Sequence, residues 1–172
     1  DSPTLRFIVF GGMSYTVVSY QGATQALRSV NEVSHFTHYT IAHAHLGVYA
    51  FFTMVMFGTI YYVAPRLTGR EWASARLIKV HFWGTAIGMA VYWVGLSWGG
   101  WIQGLMMNDP DVPFLDIVAT TIPYLWSRSF AGILMTVGHV AFAILAFKMF
   151  FDRDSGLQRG PTLLARTPGG GE

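Results

Sequence analysis

Hydrophobic residues in this chain come in long runs rather than in an alternating pattern, and its charges are held to short clusters between the runs. A helix that crosses a bilayer needs about 20 mostly apolar residues in succession to span the hydrocarbon core. Four stretches meet that length, at about 5–27, 40–63, 80–107 and 124–151. The pattern predicts an all-α, polytopic membrane protein with four transmembrane helices, its membrane domain covering residues 1–151. The first stretch is the most polar, interrupted by Arg6, Gln21 and Gln25. It is expected to pack inside a helix bundle and not against lipid. From 152 to 172 the apolar pattern stops. Pro161, Pro168 and three consecutive glycines at 169–171 mark a polar tail with no core to bury.

Composition supports lipid as the solvent. Of the 172 residues, 52% are hydrophobic and 12% charged, where soluble domains carry about a quarter charged. With no cysteine, the chain forms no disulfide and no thiolate metal site, and it lacks the Cys-x-x-Cys-His needed to attach c-type haem. A net charge of +2 with dispersed basic residues argues against a nucleic-acid partner. The chain opens on Asp1, and its first apolar stretch has no small-residue cleavage site. That reads as a fragment or processed product without a signal peptide.

Charge asymmetry gives the direction of insertion. Arg6, Arg66, Arg70, Arg76, Lys79, Lys148, Arg153, Arg159 and Arg166 fall on one side of the four spans. Arg28 and Arg128 fall on the other, with Glu32, Asp109, Asp111 and Asp116. Basic residues stay in the cytoplasm. Both termini and the tail are therefore expected there, with the segments around His35 and Asp111 external. The third span carries Gly84/Gly88, Gly95/Gly99 and Gly100/Gly104, small pairs that let helices approach closely. Trp72, Trp98, Trp101 and Trp126 sit near the expected membrane interfaces, where indole rings belong.

The candidate chemistry lies in the histidines, which need partners inside a bilayer. There are six, and two of them form Ala42-His43-Ala44-His45 just inside the second span. Residues two apart on an α-helix point about 200° apart, so one metal ion does not easily take both. Two separate cofactors, one on each side of the helix, do, and a haem iron takes an axial imidazole from its own face. The small Ala42, Ala44 and Gly47 leave room for flat macrocycles.

The stretch Ser29-Val30-Asn31, then Ser34-His35-Phe36-Thr37-His38-Tyr39-Thr40-Ile41-Ala42-His43-Ala44-His45-Leu46-Gly47, resembles the tenth-helix region of haem–copper oxidase catalytic subunits. Within that superfamily the chain looks most like subunit I of cbb3-type cytochrome c oxidases. His81-Phe82-Trp83, then Gly100, Gln103-Gly104-Leu105-Met106 and Arg128 recur in that order. Leu46-Gly47 through Pro65-Arg66-Leu67 is also similar to nitric oxide reductase catalytic subunits. The resemblance covers nearly the whole chain, but only the last four helices of a bundle of about twelve.

The resemblance implies a function. His43 would be the axial ligand of a high-spin haem and His45 that of a low-spin haem b. Arg128, His35 and His38, at external helix ends, would contact haem propionates. Copper would be held by histidines on helices outside this chain. The full subunit, with membrane-anchored cytochrome c subunits, would reduce oxygen to water with electrons from cytochrome c and pump protons across a bacterial inner membrane. Two other readings are a nitric oxide reductase catalytic subunit and a truncated, non-catalytic haem-binding subunit. On any of them the isolated chain is expected to be inactive. Two positions depart from the cbb3 pattern. Gln21 stands where a Glu bonds the proximal histidine, and His38 stands where Asp is common. His81 reads as structural, and His139 is expected to bond a backbone carbonyl.

Overall fold

The computed structural model describes residues 2–151; the tail expected at 152–172 lies outside the described residues. The elements are α1 (Pro3–Gln25), α2 (Arg28–Ser34), α3 (His38–His45), a π-helical segment (Leu46–Thr53), α4 (Met54–Thr68), α5 (Ala75–Met107) and α6 (Phe114–Phe151). No strand occurs among the described residues. The middle three elements follow without a break and make one rod, His38–Thr68, of 31 residues.

Local sequence starts and stops these helices. Ser2 caps α1, its hydroxyl accepting from the Leu5 N–H at 3.4 Å, and Pro3 fills the first turn, where a missing N–H costs little. Thr37 caps α3 through the Tyr39 N–H at 3.2 Å, and Ser74 caps α5 through the Leu77 N–H at 3.4 Å. At its far end α4 stops on Gly69, whose φ of 66° is the left-handed conformation glycine adopts freely.

Three helices are long and apolar enough to cross a membrane: His38–Thr68, Ala75–Met107 and Phe114–Phe151. The helix expected as the first span forms as α1, 23 residues long, but is not among them. Its Arg6, Gln21 and Gln25 account for that. The last helix starts at Phe114, where 124 was expected. The earlier part of the helix carries Asp116 and Pro123. An acidic residue suits the first turn of a helix, and a proline costs a long membrane helix one bond that neighbours can replace. Likewise α4 runs past Pro65 to Thr68, and α5 begins at Ala75 where 80 was expected.

Neighbouring long helices run antiparallel, so Phe7 of α1 meets Tyr61 of α4 while Gly22 meets His43. The glycine pairs of α5 serve two faces. Gly84, Gly88, Gly95 and Gly99 lie against α6 at Gly138, Ala131, Ser127 and Tyr124, while Gly100 and Gly104 lie against the backbone of Tyr39 and Val33. One end of the bundle therefore carries the 69–74 connection with Arg6, Arg66, Arg70, Arg76, Lys79 and Lys148; the other carries the 26–37 and 108–113 connections.

Two cores follow. Phe7, Met54, Tyr61, Trp72, Ile78, Phe82, Leu145 and Met149 fill the Arg-rich end. Ala42, Leu46, Ala50, Met89, Tyr92, Leu96 and Ala131 fill the middle. Trp72, expected near an interface, lies in the 69–74 connection at the bundle end, is 2% exposed and donates its indole N–H to the Tyr61 carbonyl at 3.1 Å. Trp98 and Trp126 are exposed.

Candidate functional site

His43 and His45 end α3, and their rings go to different helices. His43 sets its Cε1–Nε2 edge against Gly22 of α1. His45 is exposed and packs its ring beside Tyr92 of α5, with centroids 4.9 Å apart. Its Nδ1 lies 2.9 Å from the Ile41 carbonyl. That contact fixes the tautomer, with the proton on Nδ1 and the Nε2 lone pair outward, as the partner of a metal-binding imidazole does. The Nδ1 of His43 is buried with no hydrogen-bond partner. Buried polar atoms are nearly always bonded, so this one marks a place that needs a group. Directly after His45 the helix turns π-helical, with the Thr53 hydroxyl donating to the Val48 carbonyl five residues back. Such segments are rare and gather at functional sites.

Gln21 is buried on the same helix as Gly22, yet its amide is engaged elsewhere. Its Oε1 accepts from the Trp93 indole at 3.0 Å, and its Nε2 donates to the Ser97 hydroxyl at 3.5 Å. The structure thus brings Gln21 next to the residue that touches His43 without a bond to His43 itself.

Arg128 is exposed and lies inside α6, 14 residues after Phe114, or about 21 Å along the helix at 1.5 Å per residue. It is not at the helix end, because α6 starts early. Through Ser127 beside Gly95 it is level with the Tyr92 region of α5. His45, Tyr92 and Arg128 therefore belong to one region between α3, α5 and α6. His38 lies two turns before His45 on α3, where its backbone N–H donates to Gln103 Oε1 at 3.0 Å. His35 is not part of that region. It faces a cavity of about 290 Å³ lined with Glu32, Phe36, Gly104 and Asn108.

The remaining two histidines pair with tyrosines, partners that sequence reasoning missed. His139 lies 2.6 Å from the Tyr49 hydroxyl through Nε2, a side-chain partner in place of the expected backbone carbonyl. His81 is fully buried with Nδ1 2.8 Å from the Tyr61 hydroxyl. A tyrosine facing each histidine from the second span was the available signal.

The family model for cytochrome c and quinol oxidase polypeptide I matches residues 1–134. The chain belongs to this family. Among other oxidase polypeptides, it is similar to a cytochrome c oxidase subunit 1 homolog of Agrobacterium tumefaciens, at 30% identity over 167 residues, covering 92% of this chain and 31% of that protein. It is 32% identical over 150 residues to the cbb3-type cytochrome c oxidase subunit CcoN1 of Stutzerimonas stutzeri, covering 83% of this chain and 32% of that one. A nitric oxide reductase polypeptide of the same organism matches at 28% over 140 residues, covering 74% and 30%. The chain thus spans less than a third of these relatives' lengths. The fold matches that of a haem–copper terminal oxidase dimer solved by cryo-electron microscopy, with a TM-score of 0.70 at 21% identity, over 94% of this chain and 27% of the other. Membership in a haem–copper oxidase subunit I family implies haem and copper as cofactors of the complete subunit and a multi-subunit membrane complex.

Proposed function

We propose that this chain is the C-terminal, four-helix part of a twelve-helix respiratory oxidase subunit I, and that it presents His43 to a high-spin haem and His45 to a low-spin haem. One observation carries the reading: the two rings leave α3 toward different helices, His43 to α1 and His45 to α5. The residues fit the groups. His45 offers a free Nε2 on an exposed ring, and Gly22 removes the side chain that would crowd the Nε2 edge of His43. Arg128 and His38 suit the propionates of the haem on His45, since a guanidinium and a carboxylate make strong charge-assisted bonds. His35 would serve propionates only if they reached its separate cavity.

When bound, the haems supply one-electron transfer and an iron at which a diatomic substrate is reduced. The chain's own residues orient the two imidazoles and hold them apart. In the complete subunit this would support oxygen reduction to water with electrons from cytochrome c, delivered by membrane-anchored cytochrome c subunits and coupled to proton pumping. Nitric oxide reduction is the second reading, favoured by the match to a nitric oxide reductase polypeptide. The basic end of the bundle would face the cytoplasm of a bacterium, with α1 crossing the inner membrane under cover of the other helices.

Haem spectra of variants in the full-length subunit test the assignment. His45→Ala should remove the six-coordinate low-spin spectrum and leave high-spin haem, and His43→Ala should do the reverse. Identical losses from both would defeat it.

A further inference from the structure

Away from His43 and His45, four titratable side chains line up in the apolar interior. On α4, the Tyr61 hydroxyl is 2.8 Å from Nδ1 of His81 on α5. On the π segment, the Tyr49 hydroxyl is 2.6 Å from Nε2 of His139 on α6. The two imidazoles are neighbours, with ring centroids 5.6 Å apart. Phe57 seals both, at 4.4 Å from the His81 ring and 5.5 Å from the His139 ring, and Phe142 lies 5.2 Å from His81. Packing alone does not account for the arrangement, because Nε2 of His81 is buried without a partner. A closed structural pair would not leave a polar nitrogen stranded among phenylalanines. Imidazoles whose centroids lie 5.6 Å apart are close enough for one water to bridge a nitrogen of each.

We propose that Tyr61, His81, His139 and Tyr49 form a proton-transfer relay along the membrane domain, with one water joining the imidazoles. The path has direction. Tyr61 lies near the Thr68 end of α4, beside the Arg-rich connection, and Tyr49 lies four residues past His45, one turn below the haem-facing residues. Every group both takes and gives a proton. His81 accepts the Tyr61 hydroxyl proton at Nδ1 and releases its Nε2 proton to the water. The water passes a proton to Nδ1 of His139, whose Nε2 proton moves to the Tyr49 oxygen. Tyr49 then releases its own hydroxyl proton, and Tyr61 is refilled from the basic end. One proton enters, one leaves, no electron moves, and the two rings reset their tautomers before the next passage. The relay rests on the reading of this chain as part of a proton-coupled haem enzyme.

The test uses the full-length subunit in its complex, reconstituted in vesicles with a pH dye, and turned over with whichever of oxygen or nitric oxide the wild type reduces. Tyr49→Phe deletes one oxygen atom and His139→Phe deletes both ring nitrogens. Each should keep both haem spectra, slow proton uptake at least tenfold and raise its solvent isotope effect. Uptake at the wild-type rate in both variants, with only a lowered thermal midpoint, would overturn the relay and leave the haem assignment standing. Should His139→Phe fail to assemble, Tyr49→Phe decides alone, since it preserves the ring volume. A wild-type enzyme that binds no haem overturns both readings together.

Discussion

Gly22 of α1 stands against the imidazole edge of His43. A Cβ at that position would lie 3.1 Å from Cε1 and 3.5 Å from Nε2, so any larger side chain would enter the space that a ligand of Nε2 needs. Gly22→Leu in the full-length subunit should therefore abolish the high-spin haem signal while keeping the low-spin one. Gly12, one helix face away, has nothing within 4 Å, and Gly12→Leu should leave both signals intact. Equal spectra from the two variants would remove Gly22 from the site.

Gln21 joins α1 to α5 through Trp93 and Ser97. Gln21→Leu would strand the indole N–H, at a cost of about 1–3 kcal/mol for an unsatisfied buried group, and should lower the thermal midpoint of the purified enzyme. Gln21→Glu keeps an acceptor for Trp93 and adds a carboxylate one residue from the His43 contact. That charge stabilises oxidised iron, so the potential of the haem on His43 should fall and that of the haem on His45 should hold. A redox titration in which neither moves, or both move together, would show that Gln21 does not act on His43.

What the sequence revealed and what it hid have physical reasons. Three spans and the basic asymmetry were visible because lipid demands long apolar windows and charges at their ends. The His43–His45 divergence was visible because helical geometry fixes the angle between neighbours. The π-helical segment was not, since Leu46–Thr53 is apolar on nearly every side apart from Tyr49 and Thr53, and no periodicity marks a wider turn. The start of α6 at Phe114 was hidden because Asp116 and Pro123 interrupt the apolar run ahead of Tyr124. Pairings such as Tyr49 with His139 cross 90 residues, and no local pattern encodes them.

Insertion direction is open to a labelling test. Asp111, in the 108–113 connection, and Ala73, in the 69–74 connection, are both exposed at opposite ends of the bundle. An impermeant thiol reagent added from outside should reach Asp111→Cys and miss Ala73→Cys. The chain has no cysteine of its own to confuse the signal. The opposite labelling pattern would invert the whole topology.

Residues 1–172 expressed alone should reduce neither oxygen nor nitric oxide. Among the described residues no three His, Cys, Asp or Glu side chains gather closely enough to hold a metal ion. His43 and His45 are assigned to haem, His81 and His139 pair with Tyr61 and Tyr49, His35 follows α2 and His38 starts α3. His81 and His139 cannot be redirected to the open side of a haem on His43 without breaking those bonds. The haem on His45 would also lack a second axial imidazole from this chain. Half-completed sites in lipid leave polar groups unsatisfied, which is costly, so haem content should be low as well. The measurement is metal analysis, haem content and gas consumption on membranes holding only this chain. Turnover, or copper bound in proportion to haem, would show that the chain completes its own catalytic centre.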